Sequence, residues 1–371
     1  MREPRTVRLA TRGSDLAMRQ ASAVEDRLAD RRTEVELVAV ETRGDQLREE
    51  LIHRLGKTGA FVRTLDERVL EGDCDAAVHS MKDVPTEFPE GLVVAGVPKR
   101  APPHDVLVTP DGGSLADLPE GAVVGTSSLR RTAQLLAERP DLEVEPLRGN
   151  VDTRVEKLLA PSRQREHERR MDAEEGDIEG ANGGDDGEAY DRTVEEWFDD
   201  LTEIERRALG RDWETEFDAI VLAEAGLERI GLLPHVRYER LPVSRFVPAP
   251  GQGALAVTAL DGEFAEHVHD RVDHPRTRAE TTVERTVLET LGGGCVAPVG
   301  IHATLRGEHV HAVVRVLSRD GTEAVTGTRD LPVGAHAEAA RAFAEDLAER
   351  GASDLVEAAR VRENEDREAP R

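Results

Sequence analysis

Val7-Arg8-Leu9-Ala10-Thr11-Arg12-Gly13-Ser14 reads as a short apolar strand that breaks at a Thr-Arg-Gly-Ser turn. From Ser14 to Ala29 the apolar residues recur at helical spacing, and Val35-Glu36-Leu37-Val38-Ala39-Val40 follows as a second strand. A helix from Phe61 to Leu70 then leads into the strand Ala76-Ala77-Val78-His79. Strand and helix alternate, and that succession predicts an α/β unit with a mostly parallel sheet.

The same alternation restarts after the proline-rich break between Pro98 and Pro103. Strands Asp105-Val106-Leu107-Val108 and Ala122-Val123-Val124-Gly125 precede a helix from Ser128 to Glu138, and Phe217 to Ala223 reads as another buried strand. Two such units predict clefts at strand ends, where α/β proteins hold ligands. From His274 the pattern changes. A helix through Arg285 and Leu288 leads to a glycine turn, then to strands such as His309 to Val316 and a helix from Ala335 to Arg350, the order of a small α+β unit. Between about 161 and 212 lies a charge-dense stretch with the run Gly180-Ala181-Asn182-Gly183-Gly184-Asp185-Asp186-Gly187, read as a surface insertion with one solvated helix from Thr193 to Leu209.

Charge narrows the function. The 371 residues include 75 acidic and 49 basic ones, for a formal net charge of −26, and lysine occurs only at Lys57, Lys82, Lys99 and Lys157. A surface this negative repels phosphate backbones, so nucleic acid is a poor partner. An acidic, lysine-poor, aromatic-poor chain fits a cytoplasm held at high salt, where charges are screened within roughly 3 Å at molar ionic strength. Met1-Arg2-Glu3-Pro4-Arg5 has no apolar run behind it, no stretch is long enough to span a membrane, and Cys74 and Cys295 are too few for a disulfide framework. Neither cysteine has metal-ligand spacing, so no metal is expected and the protein reads as cytoplasmic.

Against that acidity, arginines recur in turns after strands. Gly125-Thr126-Ser127-Ser128-Leu129-Arg130-Arg131 puts hydroxyls and two guanidiniums at a helix start, Leu147-Arg148-Gly149-Asn150-Val151-Asp152-Thr153-Arg154 adds two more, and Arg12 a fifth. Helix starts attract anions and arginine forks match carboxylates. No Gly-x-x-x-x-Gly-Lys phosphate loop occurs, so the expected anion is a polycarboxylate. In His79-Ser80-Met81-Lys82-Asp83-Val84-Pro85 a carboxylate at a strand end is placed for proton transfer or for stabilising a cation. Cys295, after Gly292-Gly293-Gly294, is a nucleophile candidate, whereas Cys74 reads as a small buried apolar residue.

These motifs, with Thr42-Arg43-Gly44-Asp45, Leu222-Ala223-Glu224-Ala225-Gly226-Leu227 and Pro250-Gly251-Gln252-Gly253-Ala254, stand in the order found in the porphobilinogen deaminase (hydroxymethylbilane synthase) family, which the chain closely resembles outside the insertion. The resemblance implies two periplasmic-binding-protein-like α/β domains and a smaller α+β C-terminal domain. On this chain they fall at 1–100 with about 253–272, at 104–248, and at 274–371. It implies a dipyrromethane cofactor joined by a thioether to Cys295, and four porphobilinogens that lose ammonia and couple head to tail before hydroxymethylbilane is released. Asp83 would be catalytic. Lys82, Ser128, Arg130, Arg131, Arg154 and Arg285 would meet the cofactor, and Arg12, Ser14, Arg148 and Arg229 the substrate's acetate and propionate. The family's loop lysines are displaced here, leaving Arg54, Lys57 and Thr58 in their place. A monomer is expected, with hinges near Pro98 and Pro248 and the product handed to uroporphyrinogen-III synthase. Two other classes fit these residues less well. A binding protein of the periplasmic type lacks a use for Cys295, and a pyridoxal-phosphate enzyme lacks a lysine in a Schiff-base setting.

Overall fold

Ser14 shows how the opening turn works. Its backbone is extended (φ −75°, ψ 148°) and its Oγ accepts a hydrogen bond from the Ala17 N–H at 3.4 Å, so strand β1 (Arg5–Arg12) passes at once into helix α1 (Asp15–Leu28). Ala21, Val24 and Leu28 form the buried stripe of α1 and pack with Val7 and Leu9 of the strand. The computed structural model describes residues 5–40, 60–178, 190–292 and 297–368. Cys295, Arg54, Lys57, Thr58, Thr42 to Asp45 and the glycine-acid run at 180–187 lie outside them.

Strand β2 (Thr33–Val40), helix α2 (Ala60–Leu70) and strands β3 (Ala76–Ser80) and β4 (Leu92–Gly96) continue the first unit. The second holds β5 (Asp105–Val108), β6 (Val123–Gly125), α3 (Leu129–Glu138), β7 (Glu143–Glu145), α4 (Val151–Ile178), α5 (Val194–Asp200), α6 (Glu203–Leu209), β8 (Ala219–Ala223), α7 (Glu224–Arg229) and β9 (Tyr238–Arg240). The chain then returns to the first sheet as β10 (Leu255–Leu260), followed by α8 (Glu263–Val272). The strand orders are β2-β1-β3-β10-β4 and β7-β6-β8-β5-β9.

The expectation of mostly parallel sheets needs correcting. β10 runs antiparallel to both β3 and β4, and β5 antiparallel to both β8 and β9, so half the ladders are antiparallel. The cause is the double crossing. β5 and β10 are the strands by which the chain enters each sheet from the other unit, so each comes in at the end where the parallel strands finish and must run against them. Consequently β1, β3, β6, β7 and β8 all end on the side where the two units face each other.

The insertion also departs from expectation. Instead of a charged loop, α4 continues to Ile178 through Pro161, and Glu166 pairs with Arg169 and Arg170 one turn on. The single solvated helix is two, α5 and α6, each started by a capping box: Thr193 with Glu196 and Thr202 with Glu205. The last unit is the antiparallel meander β11 (Val299–Arg306), β12 (His309–Leu317) and β13 (Ala324–Pro332), covered by α9 (Pro275–Thr290), α10 (His336–Glu349) and α11 (Ala352–Glu368). Its core joins Val283 and Val287 to Val314, Phe343 and Leu347. No helix among the described residues is long and apolar enough to cross a membrane.

Candidate active site

Strand β3 ends in a 3-10 turn, Met81–Asp83, closed by the Val84 N–H donating to the Met81 carbonyl at 3.2 Å. Met81 is buried and anchors the turn, while Lys82 and Asp83 are exposed where the units face each other. The turn rests on the second crossing. The Met81 N–H donates to the Ala254 carbonyl at 3.0 Å, and Gly251 has φ +73°, with a Cβ there falling 2.6 Å from Met81 Cγ and 3.1 Å from the Lys82 nitrogen. Only glycine has both that conformation and that absence of a side chain.

Arg130 and Arg131 emerge one step inside α3, and both are buried. Their first partner is internal: Asp105, the opening residue of β5, takes Arg130 Nη1 on Oδ2 at 2.7 Å and Arg131 Nη2 on Oδ1 at 2.8 Å. Burial alone would raise the Asp105 carboxyl, but the two guanidiniums outweigh it and hold the group well below its usual 3.8. Gln252 closes the knot, donating from Nε2 to Asp105 Oδ1 at 2.9 Å and to the Pro103 carbonyl at 2.6 Å. Arg130 Nε has no partner and its Nη2 only a long bond of 3.4 Å to Gln252, so donor capacity remains.

Charge is concentrated across the gap. Asp83 beside it favours the charged form of Lys82, yet crowding by protein and the positive fields of Arg131 and Arg154 outweigh that and push the ammonium below its ordinary value. Lys82 therefore lies within electrostatic reach of two residues from the opposite unit. Arg154, in the first turn of α4, is brought down to about 10, first by burial and then by Arg131, and its Nε donates to the Gly149 carbonyl at 2.9 Å. Arg229, at the end of α7, is lowered by burial and donates from Nη2 to the Gly253 carbonyl at 2.6 Å. Arg148, Arg154 and Arg229 form no ion pair with a carboxylate among the described residues. Arg12 and Ser14 stand half-buried at the β1–α1 turn, and Ser128 occupies the N-cap position of α3 with no side-chain cap bond.

Sequence reasoning missed the residues that hold this set in place. Asp105, Gln252 and the Arg100–Glu284 pair (Nη1 to Oε1, 2.7 Å) join the two crossings, 97–104 and 241–254, to α9. Glu284 is fully buried and also accepts from the Gly251 and Ala303 N–H groups. Beneath β3 a second buried set joins His79 to Asp66 at 2.9 Å and to Thr258 at 3.1 Å. The available signal was an aspartate opening an otherwise apolar strand. Arg285, on α9, donates from Nη1 and Nη2 to the Val84 and Pro85 carbonyls at 2.9 and 2.6 Å.

A carboxylate flanked by unneutralised cations on two facing units suits a ligand that carries several carboxylates and develops positive charge between them. Comparison with known proteins agrees. The family model for the dipyromethane cofactor binding domain of porphobilinogen deaminase matches residues 7–166 and 203–266, and that for the enzyme's C-terminal domain matches 279–350. The gap between the first two segments falls on the end of α4 and on α5. A "probable porphobilinogen deaminase" of Halobacterium salinarum is 54% identical over 389 aligned residues, covering 96% of this chain and 98% of the relative. The porphobilinogen deaminase of Desulforudis audaxviator is 39% identical over 362 residues, with 96% and 98% covered. The chain belongs to the porphobilinogen deaminase family.

Proposed function

We propose that the residues facing one another between the first two sheets divide the work of porphobilinogen polymerisation as follows. The enzyme joins four porphobilinogens into hydroxymethylbilane for tetrapyrrole biosynthesis and uses a dipyrromethane cofactor. Cys295 carries that cofactor through a thioether. Bound there, dipyrromethane supplies the free pyrrole carbon to which substrate is joined.

Lys82, Ser128, Arg130, Arg131 and Arg154 hold the cofactor's carboxylates, with Asp105 fixing the two adjacent guanidiniums in place. Arg12, Ser14, Arg148 and Arg229 receive the acetate and propionate of the incoming unit. Asp83, exposed on its turn, accepts the pyrrole N–H, stabilises the positive charge that grows as ammonia leaves, and takes up a proton. The observation that carries this assignment is the set of Arg148, Arg154 and Arg229. In a chain with 75 acidic residues they form no carboxylate ion pair among the described residues, while Lys82 and Asp83 stand opposite. Arg54 and Lys57 supply the charge of the family's loop lysines.

Intact mass with Ehrlich's reagent tests the attachment. The purified enzyme is expected to carry the extra mass of two pyrroles and to colour, and Cys295→Ser to show neither. A Cys295→Ser protein that keeps the adduct and full turnover would remove Cys295 from the reading. We further place the enzyme in the cytoplasm as a monomer that hands its product to uroporphyrinogen-III synthase. Gel filtration at several concentrations checks the monomer, and faster cyclisation on mixing the two enzymes checks the handover.

A further inference from the structure

The turn that presents Asp83 is held at one end more firmly than at the other. On its upstream side the Met81 N–H is bonded to Ala254, and inside it Val84 closes on Met81. Downstream come Pro85, Thr86, Glu87, Phe88 and Pro89 before strand β4, and two of these have no N–H to donate. The bonds that reach this side from another unit come from Arg285 of α9: Nη1 to the Val84 carbonyl at 2.9 Å and Nη2 to the Pro85 carbonyl at 2.6 Å. The guanidinium also lies 5.9 Å from the centre of the Phe88 ring. Both amino ends of the fork are thus spent on the two residues immediately after Asp83.

Arg285 is itself on a fixed support. Its neighbour Glu284 is buried and ties α9 to Arg100, to Gly251 and to Ala303. Met81 and Val84 pack with Val97, Ala254 and Ala256, but that packing does not fill the side facing α9, where a cavity of about 190 Å³ is lined by Met81 and Thr86 and by Thr282, Arg285 and Glu289. Without the guanidinium the turn has room to move.

We infer that Arg285 is a positioning residue for Asp83: acting through the Val84 and Pro85 carbonyls, it fixes the 81–85 turn from the third unit and is not a ligand for cofactor carboxylates. This rests on the reading of Asp83 as the carboxylate that meets the substrate.

Arg285→Ala is expected to keep its covalent dipyrromethane by intact mass and to hold KM within about threefold. Its kcat is expected to fall about 10²-fold, the scale of a 1 Å misplacement. Arg285→Lys, which can reach one carbonyl, should recover part of that loss. Hydrogen exchange read by mass spectrometry should quicken at the Val84 amide in Arg285→Ala. Loss of the dipyrrole mass, or a large rise in KM with kcat kept, would make Arg285 a carboxylate ligand and overturn the proposal. Unchanged kcat with unchanged exchange would overturn it too. If the alanine variant does not fold, Arg285→Gln and Arg285→Lys are read by the same measurements. A parent enzyme lacking the dipyrrole would instead sink the assignment of the cleft, so the two failures are distinguishable.

Discussion

Asp83→Asn keeps the size of the side chain and removes its charge, so it separates the chemistry from the packing of the turn. Turnover is expected to fall by about 10²–10³-fold, as when a group aimed at developing charge is lost, with dipyrromethane still present by mass. Normal turnover would refute the role. Asp105→Asn asks a different question. It strands two buried guanidiniums, and the expected cost in urea unfolding is about 3–5 kcal/mol, the scale for one partner removed from a buried pair. The sign with pH follows from the direction of the shift. The folded Asp105 carboxyl is held below its ordinary 3.8, so its contribution is complete above that value. As pH falls through and below 3.8 the unfolded chain takes up the proton first, and the contribution shrinks. The difference between Asp105→Asn and the parent should therefore narrow below about pH 4, and a constant difference down to pH 2 would count against it. The sequence made Asp83 and the arginines readable because a charge in a glycine or serine turn after an apolar strand needs a reason. It did not reveal where those arginines point. Arg130, Arg131 and Arg285 read alike in the chain, yet their first partners are Asp105 and two carbonyls, distant in sequence and brought near only by the fold.

At the scale of elements, α4 shows why composition misleads. Beyond Pro161 its residues carry no apolar stripe, and the run reads as a loop. What extends the helix is side-chain pairing: Arg170 pairs with Glu166 and lies 4.0 Å from the ring centre of Tyr190 and 5.3 Å from that of Trp197. Arg170→Ala is expected to lower stability by about 1 kcal/mol in thermal unfolding while leaving kcat/KM unchanged. A fall in kcat/KM would tie this part of the chain to the active site. The break between α5 and α6 was missed although its signal stands in the chain, since Thr193 and Thr202 each precede a glutamate three positions on. The directions of β5 and β10 carry no such signal. A four- to six-residue apolar strand looks the same from either end, and only the double crossing sets which way it runs.

For the whole molecule, a net charge of −26 makes the surface repel itself when salt is low. Screening shortens from about 10 Å at 0.1 M to about 3 Å at 1 M, so the melting temperature is expected to climb with KCl over that range and beyond. Circular dichroism melts at several KCl concentrations check this, and a flat response would remove the high-salt reading. The strand orders also carry a consequence for synthesis. The second sheet is complete once residue 240 has left the ribosome, whereas the first waits for β10, which ends at residue 260 and fits between β3 and β4. A nascent chain paused before residue 255 should thus contain a protease-resistant second unit beside a first sheet split in two. The split leaves both flanks of the gap as open strand edges, the kind that recruit strands from other chains. The moment of greatest danger for this protein comes late in translation, and it ends when six residues slide home.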